Sequence, residues 1–486
     1  MAGSPVSSPR VDLRRSRDGI AIAAARVTST VSRRLGHGGT SLPGLVAEGL
    51  APGILSRVAE DLQSFSLVSG TNGKTTTTRM LVHILESSGR PTISNASGAN
   101  LRQAITSTLI SRTGLDGRLG GRAAAAVLEV DEATLPRVAD ALPITLLVMT
   151  NLFRDQLDRY GETDEIVRRW RTLLGRLTDD VTLVYCADDP RLAHLGSGHR
   201  GPSLGYGLAG PPSAGADVSL TADVTTCPVC DGPLAVGWSD VGHDGPYRCH
   251  RCGFARADPW LEVRVAHSRG IDGQTLSFRG PALPDEWPRR REQLVELQLP
   301  GVSNAYNAAA AVTAAVAIGV PLRTAIGSLA DATPAWGRYE DLEIGGRRVV
   351  LTLGKNPASI AELVRVGVDS DVSAVLFAVN DAFPDGRDVS WYWDVNPVPL
   401  LAGTLCAISG SSADDFRLRM KYEVGDATGD GLTGLVGMYE HPADGLDALL
   451  LATEPGDTIL VVATYTALLE LRAALVGRGL AAVVPR

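Results

Sequence analysis

The chain has 486 residues, of which 44% are hydrophobic and 21% charged, with a formal net charge of −8 and a pI near 5.6. That length predicts about three domains, the composition is that of an ordinary soluble globular protein, and the acid excess argues against a nucleic-acid binder. The longest apolar stretch, residues 308–320, falls short of the ~20 residues a spanning helix needs, so the chain reads as not transmembrane.

At the N-terminus, arginines 10, 14, 15, 17, 26, 33 and 34 surround a short apolar patch, 20–25. No sustained apolar core precedes a cleavage-like site, so a signal peptide is not expected. The first ~15 residues are expected to be disordered. Residues 18–35 are expected to form an amphipathic basic helix, suited to solvent or to an anionic membrane surface.

From residue 55 to 200 short β-type runs alternate with helical patterns: 66–68, helix 74–88, 92–94, helix 100–112, 124–130, helix 132–140, 145–149, helix 163–175, 182–186. This rhythm predicts an α/β parallel sheet with ligands at the carboxyl ends of its strands. The first strand breaks into Gly70-Thr71-Asn72-Gly73-Lys74-Thr75. Glycines let backbone N–H groups turn toward an anion, Lys74 supplies a point charge and Thr75 a hydroxyl for Mg²⁺. The chain has three lysines (74, 355, 421) among 46 basic residues, so a lysine kept here suggests a need for a compact ammonium. Glu129, at the carboxyl end of a later strand, is well placed for Mg²⁺. Asp131 reads as a solvated loop acid, and Glu132 fits either class.

A Gly/Pro/Ser-rich stretch (201–215) leads to Cys227-Pro-Val-Cys230 and Cys249-His-Arg-Cys252, 18 residues apart. That spacing suits one structural Zn²⁺ held by four thiolates, able to contribute on the order of 10 kcal/mol to folding the insert. Strands around 260–280 and 293–299 precede a helix starting near Asn304. After a linker at 332–336 the alternation resumes (349–353, 374–379, 405–409, 458–462), predicting a second, smaller α/β unit. Cys186 and Cys406 stand alone in apolar runs, which is reduced, cytoplasmic usage with no disulfide framework.

The short G-T-N-G-K-T loop resembles the ATP loop of the Mur ligase family. Thr150-Asn151-Leu-Phe-Arg-Asp-Gln156-Leu-Asp resembles that family's T-N-x-x-x-D-H-L-D motif, and Cys186-Ala-Asp-Asp-Pro190 its adenine-side turn. Asn304-Ala-Tyr-Asn307 matches its N-x-x-N element, and Gly337-Arg338-Tyr-Glu340 its G-R-x-E element. The resemblance implies that Gly70, Thr71, Asn72, Gly73, Lys74, Thr75, Glu129, Asn151, Asn304, Asn307 and Arg338 serve ATP and Mg²⁺. It implies a Mur-ligase-type ATP-binding domain (51–332) with an inserted four-cysteine zinc ribbon (about 224–256), a basic N-terminal segment (1–50), and a smaller Rossmann-like α/β C-terminal domain (336–486).

Three departures separate the chain from ligases that add an amino acid. Gln156 replaces the metal-side histidine, residues 152–200 contain no lysine to carbamylate, and residues 1–50 are too short for a UDP-binding domain. The turn Leu353-Gly-Lys355-Asn-Pro357, the loop Asp385-Gly-Arg-Asp388-Val-Ser-Trp391 and the cysteine knuckles resemble instead the family's amidating branch, which works with a glutamine amidotransferase.

That resemblance implies ATP-dependent amidation of the α-carboxylate of D-glutamate in the lipid II stem peptide, through an acyl phosphate, in peptidoglycan synthesis. Ammonia would come from a separate GatD-like subunit, because neither lone cysteine sits in a G-x-C-x-G elbow. Lys355 is expected beside the transferred phosphoryl group or the substrate carboxylate. Asp388 is expected to complete the partner's catalytic triad, with Asp385 and Asp394 as substitutes. The expected location is cytoplasmic, including the inner face of the plasma membrane, where lipid II lies. Two rivals remain: an amino-acid-adding Mur or folylpolyglutamate-type ligase, and a non-catalytic ATP-binding zinc scaffold.

Overall fold

The computed structural model describes residues 9–34, 41–60, 62, 64–95, 100–119, 125–153, 163–210, 224–240, 243–280, 292–333, 339–424 and 434–482. Two sheets organise them. The first contains β1 (Ser64–Ser69), β2 (Thr92–Ser94), β3 (Ala125–Glu129), β4 (Leu146–Met149), β5 (Thr182–Cys186) and β6 (Ser203–Leu208), all parallel. Their sequences are apolar almost throughout, as expected for strands covered on both faces, and every residue of β3 and β4 is buried.

A small ribbon follows, made of β7 (Leu234–Val236), β8 (Ser239–Asp240), β9 (His243–Asp244) and β10 (Tyr247–Cys249), with β7 antiparallel to β10. The chain then rejoins the first sheet through β11 (Leu261–Ser268), parallel to β6, and continues antiparallel through β12 (Gln274–Arg279) and β13 (Gln293–Leu297). The order is β13-β12-β11-β6-β5-β4-β1-β3-β2. The sequence predicts these later strands but not that they extend the nucleotide-side sheet. The alanine-rich helix Val302–Ala317 is buried nearly all round, and its small side chains let it pack closely on the helix Lys74–Ser87.

The second sheet has the order β14-β15-β19-β16-β17-β18. It is built from β14 (Glu340–Ile344), β15 (Arg347–Leu353), β16 (Ala374–Ala378), β17 (Leu405–Ser409), β18 (Leu435–Tyr439) and β19 (Thr458–Ala463). Only the β14–β15 hairpin is antiparallel, turning at Gly345 and Gly346 with φ of +59° and +77°. The carboxyl ends of β15, β19, β16 and β17 therefore share one edge. The sequence reading overlooks β14 and β18 because both are half-exposed edge strands with weak apolar runs, and β6 because its glycines make the stretch 201–215 read as a connector rather than a strand.

The N-terminal helix runs from Pro9 to Arg34, starting earlier than the residue 18 expected from sequence. Proline in the first turn loses no intrahelical hydrogen bond, so it favours that start. Ala21, Ile22 and Ala25 are buried in the main core, and the Arg57 guanidinium donates to both carboxylate oxygens of Asp18 at 2.6 and 2.7 Å. No helix among the described residues is long and apolar enough to cross a membrane.

Candidate functional site

The loop after β1 is held in shape before it meets any ligand. Gly70 and Gly73 have φ of +142° and +81°, values that L side chains rarely adopt. A Cβ on Gly70 would also run into Thr150, and one on Gly73 into the Asn307 amide. The segment following β4 braces the loop from below. Asn151 accepts from the Asn72 N–H (2.8 Å) and donates to the Asn72 carbonyl (3.1 Å), while the Thr150 hydroxyl donates to the same carbonyl (2.8 Å). Thr71 N donates to the Asn151 carbonyl (3.0 Å), and Phe153 N to the Thr71 hydroxyl (3.0 Å).

Glu129 lies opposite Val68 in the β1–β3 register, level with the start of the loop. Its carboxylate accepts from the Thr75 hydroxyl (2.8 Å) and from Asn100 (3.3 Å), and its backbone is clamped by Asn95, with both bonds 2.8 Å. Two oxygen-bearing side chains thus meet at the head of the helix Lys74–Ser87, a donor set that suits a hard divalent cation. Lys74 is buried and donates to the carbonyls of Gly70 and Thr71 (the latter at 3.2 Å) and to Glu132 at 3.0 Å. Glu132 is therefore the counter-ion of Lys74. Asp131 is buried as well and accepts from the Ala133 N–H, which corrects its reading as a solvated acid: it closes the turn leading into the helix Leu135–Ala139.

Asn304 and Asn307 stand at the head of the alanine-rich helix. Asn304 donates to the Pro300 carbonyl (2.7 Å), Asn307 donates to Asn304 (3.1 Å), and Thr77 donates to Asn307 (3.2 Å). Facing them across a cleft, the β15 end contributes Lys355 and Asn356. Lys355 Nζ donates to the Thr71 carbonyl at 3.3 Å. Asn72 and Asn356 exchange amide bonds at 3.1 and 3.3 Å. Asn72, Gly73, Asn304, Asn307, Lys355 and Glu362 line the cavity between the two sheets. Asn356 is a site residue that sequence reading did not single out, and Glu132, which the sequence leaves open between the metal site and solvent, pairs with Lys74. Asn356 carried a legible signal, since Asn-Pro opens a helix, and its side chain caps the helix Pro357–Val368 in a full capping box.

Arg338 lies outside the described residues, as do Asp155, Gln156 and Asp158 of the motif after β4. Asp388 stands apart from the cavity, on the loop after β16. It is exposed and accepts from the Ser390 N–H at 2.9 Å; bonds from the Ser390 hydroxyl and backbone hold its carboxyl below the usual range. Asp385 is buried and accepts from Thr466 N (2.9 Å) and the Thr466 hydroxyl, tying the loop to the first turn of the helix Tyr465–Gly477 that follows β19. Burial pushes its pKa upward. It is spent on structure, whereas Asp394 is exposed.

The four knuckle cysteines bring their sulfurs within 4.8 Å of one another, with Cys227–Cys252 and Cys230–Cys249 each 3.6 Å apart. Four thiolates at about 2.3 Å from a tetrahedral Zn²⁺ would be separated by nearly that distance. The ribbon is bolted to the nucleotide side of the sheet: Arg256 pairs with the fully buried Asp188, which also accepts from Tyr306 (2.8 Å) and from the Leu208 N–H (2.7 Å). Burial raises the Asp188 pKa, and Arg256 opposes that shift. The other two cysteines are inert by position. Burial raises the Cys186 thiol well above its ordinary value and pushes Cys406 up to about 12.

A parallel sheet with a short phosphate loop, a carboxylate at the neighbouring strand end and a second α/β unit closing over the cleft is the architecture of Mur ligases. The solved structure of MurF from Acinetobacter baumannii superposes with a TM-score of 0.63 at 17% identity, covering 90% of this chain and 81% of that one. A pseudomurein peptide ligase type C from Methanothermus fervidus gives 0.61 at 20% identity, over 87% and 80%. Family models described as Mur ligase middle domain and MurT ligase C-terminal match residues 68–232 and 353–468. A relative from Staphylococcus aureus (strain COL), the MurT subunit of lipid II isoglutaminyl synthase (glutamine-hydrolyzing), is 30% identical over 404 residues, 82% of this chain and 87% of its own. Its namesake from Streptococcus pneumoniae (strain ATCC BAA-255 / R6) is 29% identical over 94% and 97%. The chain belongs to the MurT family of Mur-type ligases.

Proposed function

We propose that this chain is the ATP-using subunit of a lipid II isoglutaminyl synthase, amidating the α-carboxylate of the stem-peptide D-glutamate. One observation carries the reading: Lys74 from the phosphate loop and Lys355 from the second sheet reach the same carbonyl, Thr71, across the cleft. Two ammonium groups that converge there can neutralise a triphosphate and an incoming carboxylate together. The names of the staphylococcal and streptococcal relatives support the substrate and the glutamine dependence.

Chemically, a carboxylate cannot lose oxide to an amine. A carboxylate oxygen attacks the γ-phosphorus of ATP, ADP departs, and an acyl phosphate forms. Ammonia then adds to the carbonyl carbon, inorganic phosphate leaves, and one proton is lost to give the amide. Lys74 and Lys355 hold phosphate oxygens in line, with Arg338 assisting. Gly70 to Gly73 present backbone N–H groups, Asn151 fixes Asn72, and Asn304 and Asn307 orient the nucleotide from the helix head. Thr75 and Glu129 would hold Mg²⁺, which when bound spreads phosphate charge. Cys227, Cys230, Cys249 and Cys252 would hold a structural Zn²⁺.

Nitrogen comes from a GatD-like glutaminase subunit, since both remaining cysteines are buried with raised pKa. Asp388 would orient that partner's catalytic histidine; it is exposed, anionic and at the sheet edge that also carries Lys355. In this reading the chain divides into 1–50, 51–332 with a ribbon at about 224–256, and 336–486; the two separate sheets support the boundary near 332–336, while Ala21, Ile22, Ala25 and Ala47 pack into the core of the first sheet. The setting is the cytoplasmic side of the membrane.

The test is purified protein with lipid II, ATP and ammonium chloride but no partner. Amide formation supports the synthetase; nucleotide binding without product favours a scaffold.

A further inference from the structure

The N-terminal helix buries one apolar face and leaves another uncovered. Ala21, Ile22 and Ala25 are fully buried, whereas Ile20, Val27 and Val31 are 65%, 63% and 49% exposed. At 100° per residue the exposed three fall within about 40° of arc, on the side opposite the buried three. Leu42 and Leu45, on the helix Leu42–Leu50 that packs against it, are also about half exposed. Two exposed arginines, Arg17 and Arg34, flank this stripe within about 60° of arc on either side. Residues 1–34 carry seven arginines against two aspartates, in a chain whose net charge is −8. Within 16–34 the one acid, Asp18, is buried and paired with Arg57. Among the described side chains of this helix, the outward face therefore offers aliphatic groups and positive charge with no exposed carboxylate.

This platform is rigidly joined to the cleft. The Gly44 N–H donates to Ser107 (2.7 Å), and Arg102 pairs with Glu48 (3.1 Å), fixing Leu42–Leu50 on the helix Arg102–Ser111. Two residues before that helix, Asn100 donates to Glu129. The apolar stripe is thus carried by the elements that position the proposed metal-binding carboxylate.

The geometry points to an anionic phospholipid surface as the occupant of this face: the helix Pro9–Arg34 lies in the plane of the interface and holds the cleft beside lipid-embedded substrate. An aliphatic stripe flanked by arginines fits the boundary between acyl chains and acidic headgroups, where each cation adds attraction. A uniformly polar solvent face needs no such stripe. The inference rests on the proposed lipid-linked substrate.

Sedimentation with vesicles tests it, using the full chain and no substrate. Vesicles with about a third anionic phospholipid should bind it, purely neutral ones at least about fivefold more weakly. The variant Ile20→Asp/Val27→Asp/Val31→Asp should lose at least about tenfold in vesicle binding. It should keep its unfolding midpoint and its ammonia-driven rate on a water-soluble short-chain substrate, while slowing on vesicle-embedded lipid II. Wild-type protein that ignores anionic vesicles, or a variant that binds them equally, overturns the inference. So does a variant with intact vesicle binding that no longer associates with the glutaminase subunit, which would make the face a protein interface. If wild type amidates neither substrate form, the proposed function fails, and the vesicle result still decides this inference.

Discussion

Lys74 and Lys355, two of the three lysines in the chain, donate to one acceptor, the Thr71 carbonyl, at 3.2 and 3.3 Å. They arrive from different sheets, so the shared carbonyl marks where the second unit closes on the phosphate loop. Lys355→Met should lower the ammonia-driven kcat by about 10²–10³ while ATP still binds, because its charge acts mainly on the transferred group. Lys355→Arg should not restore the rate, since a planar guanidinium cannot occupy the space of an ammonium. Initial rates of amide formation check both.

Asn356 does two jobs that substitution can separate. Its side-chain oxygen caps the helix Pro357–Val368, and its amide nitrogen donates to Asn72. Asn356→Asp keeps the cap but sets a carboxylate against the Asn72 oxygen, so the KM for ATP should rise with little change in the denaturant midpoint. Asn356→Ala should lose about 1 kcal/mol of stability in addition.

Asp388→Asn should abolish glutamine-driven amidation in the complex with the glutaminase subunit and leave ammonia-driven amidation intact. An amide can no longer stabilise a neighbouring imidazolium. Equal loss of both activities would remove Asp388 from the partner's triad. The Ser390 bonds that hold the Asp388 pKa below the usual carboxylate range keep it anionic at neutral pH, so this residue should impose no activity loss as pH falls from 8 toward about 5.

Cys249→Ser should release metal from a protein that otherwise carries one Zn²⁺ per chain by elemental analysis. The unfolding midpoint should drop, and nucleotide affinity should weaken secondarily. Arg256, four residues beyond Cys252, pairs with Asp188, and Asp188 holds Tyr306 between Asn304 and Asn307.

Much of the first sheet was legible because buried parallel strands and Gly-rich turns leave strong local signals. The phosphate loop, the carboxylate at the end of β3 and the cysteine knuckles each depend on short sequence spacing. What could not be read depends on long-range contact. Nothing local tells that Asn356 meets Asn72, 284 positions away, or that Glu132 rather than a solvent ion balances Lys74. The burial of Asp131 was missed because a loop acid beside a strand end looks solvated until the turn it closes is seen. Strands β14 and β18 were overlooked because edge strands bury too little to show a pattern.

Oxygen tracing tests the acyl phosphate most directly. Lipid II labelled with ¹⁸O in both oxygens of the D-glutamate α-carboxylate is incubated with the enzyme, ATP and ammonia, and the inorganic phosphate is analysed by mass. One labelled oxygen in phosphate for every amide formed is the predicted result. Amide accumulating alongside wholly unlabelled phosphate would contradict it.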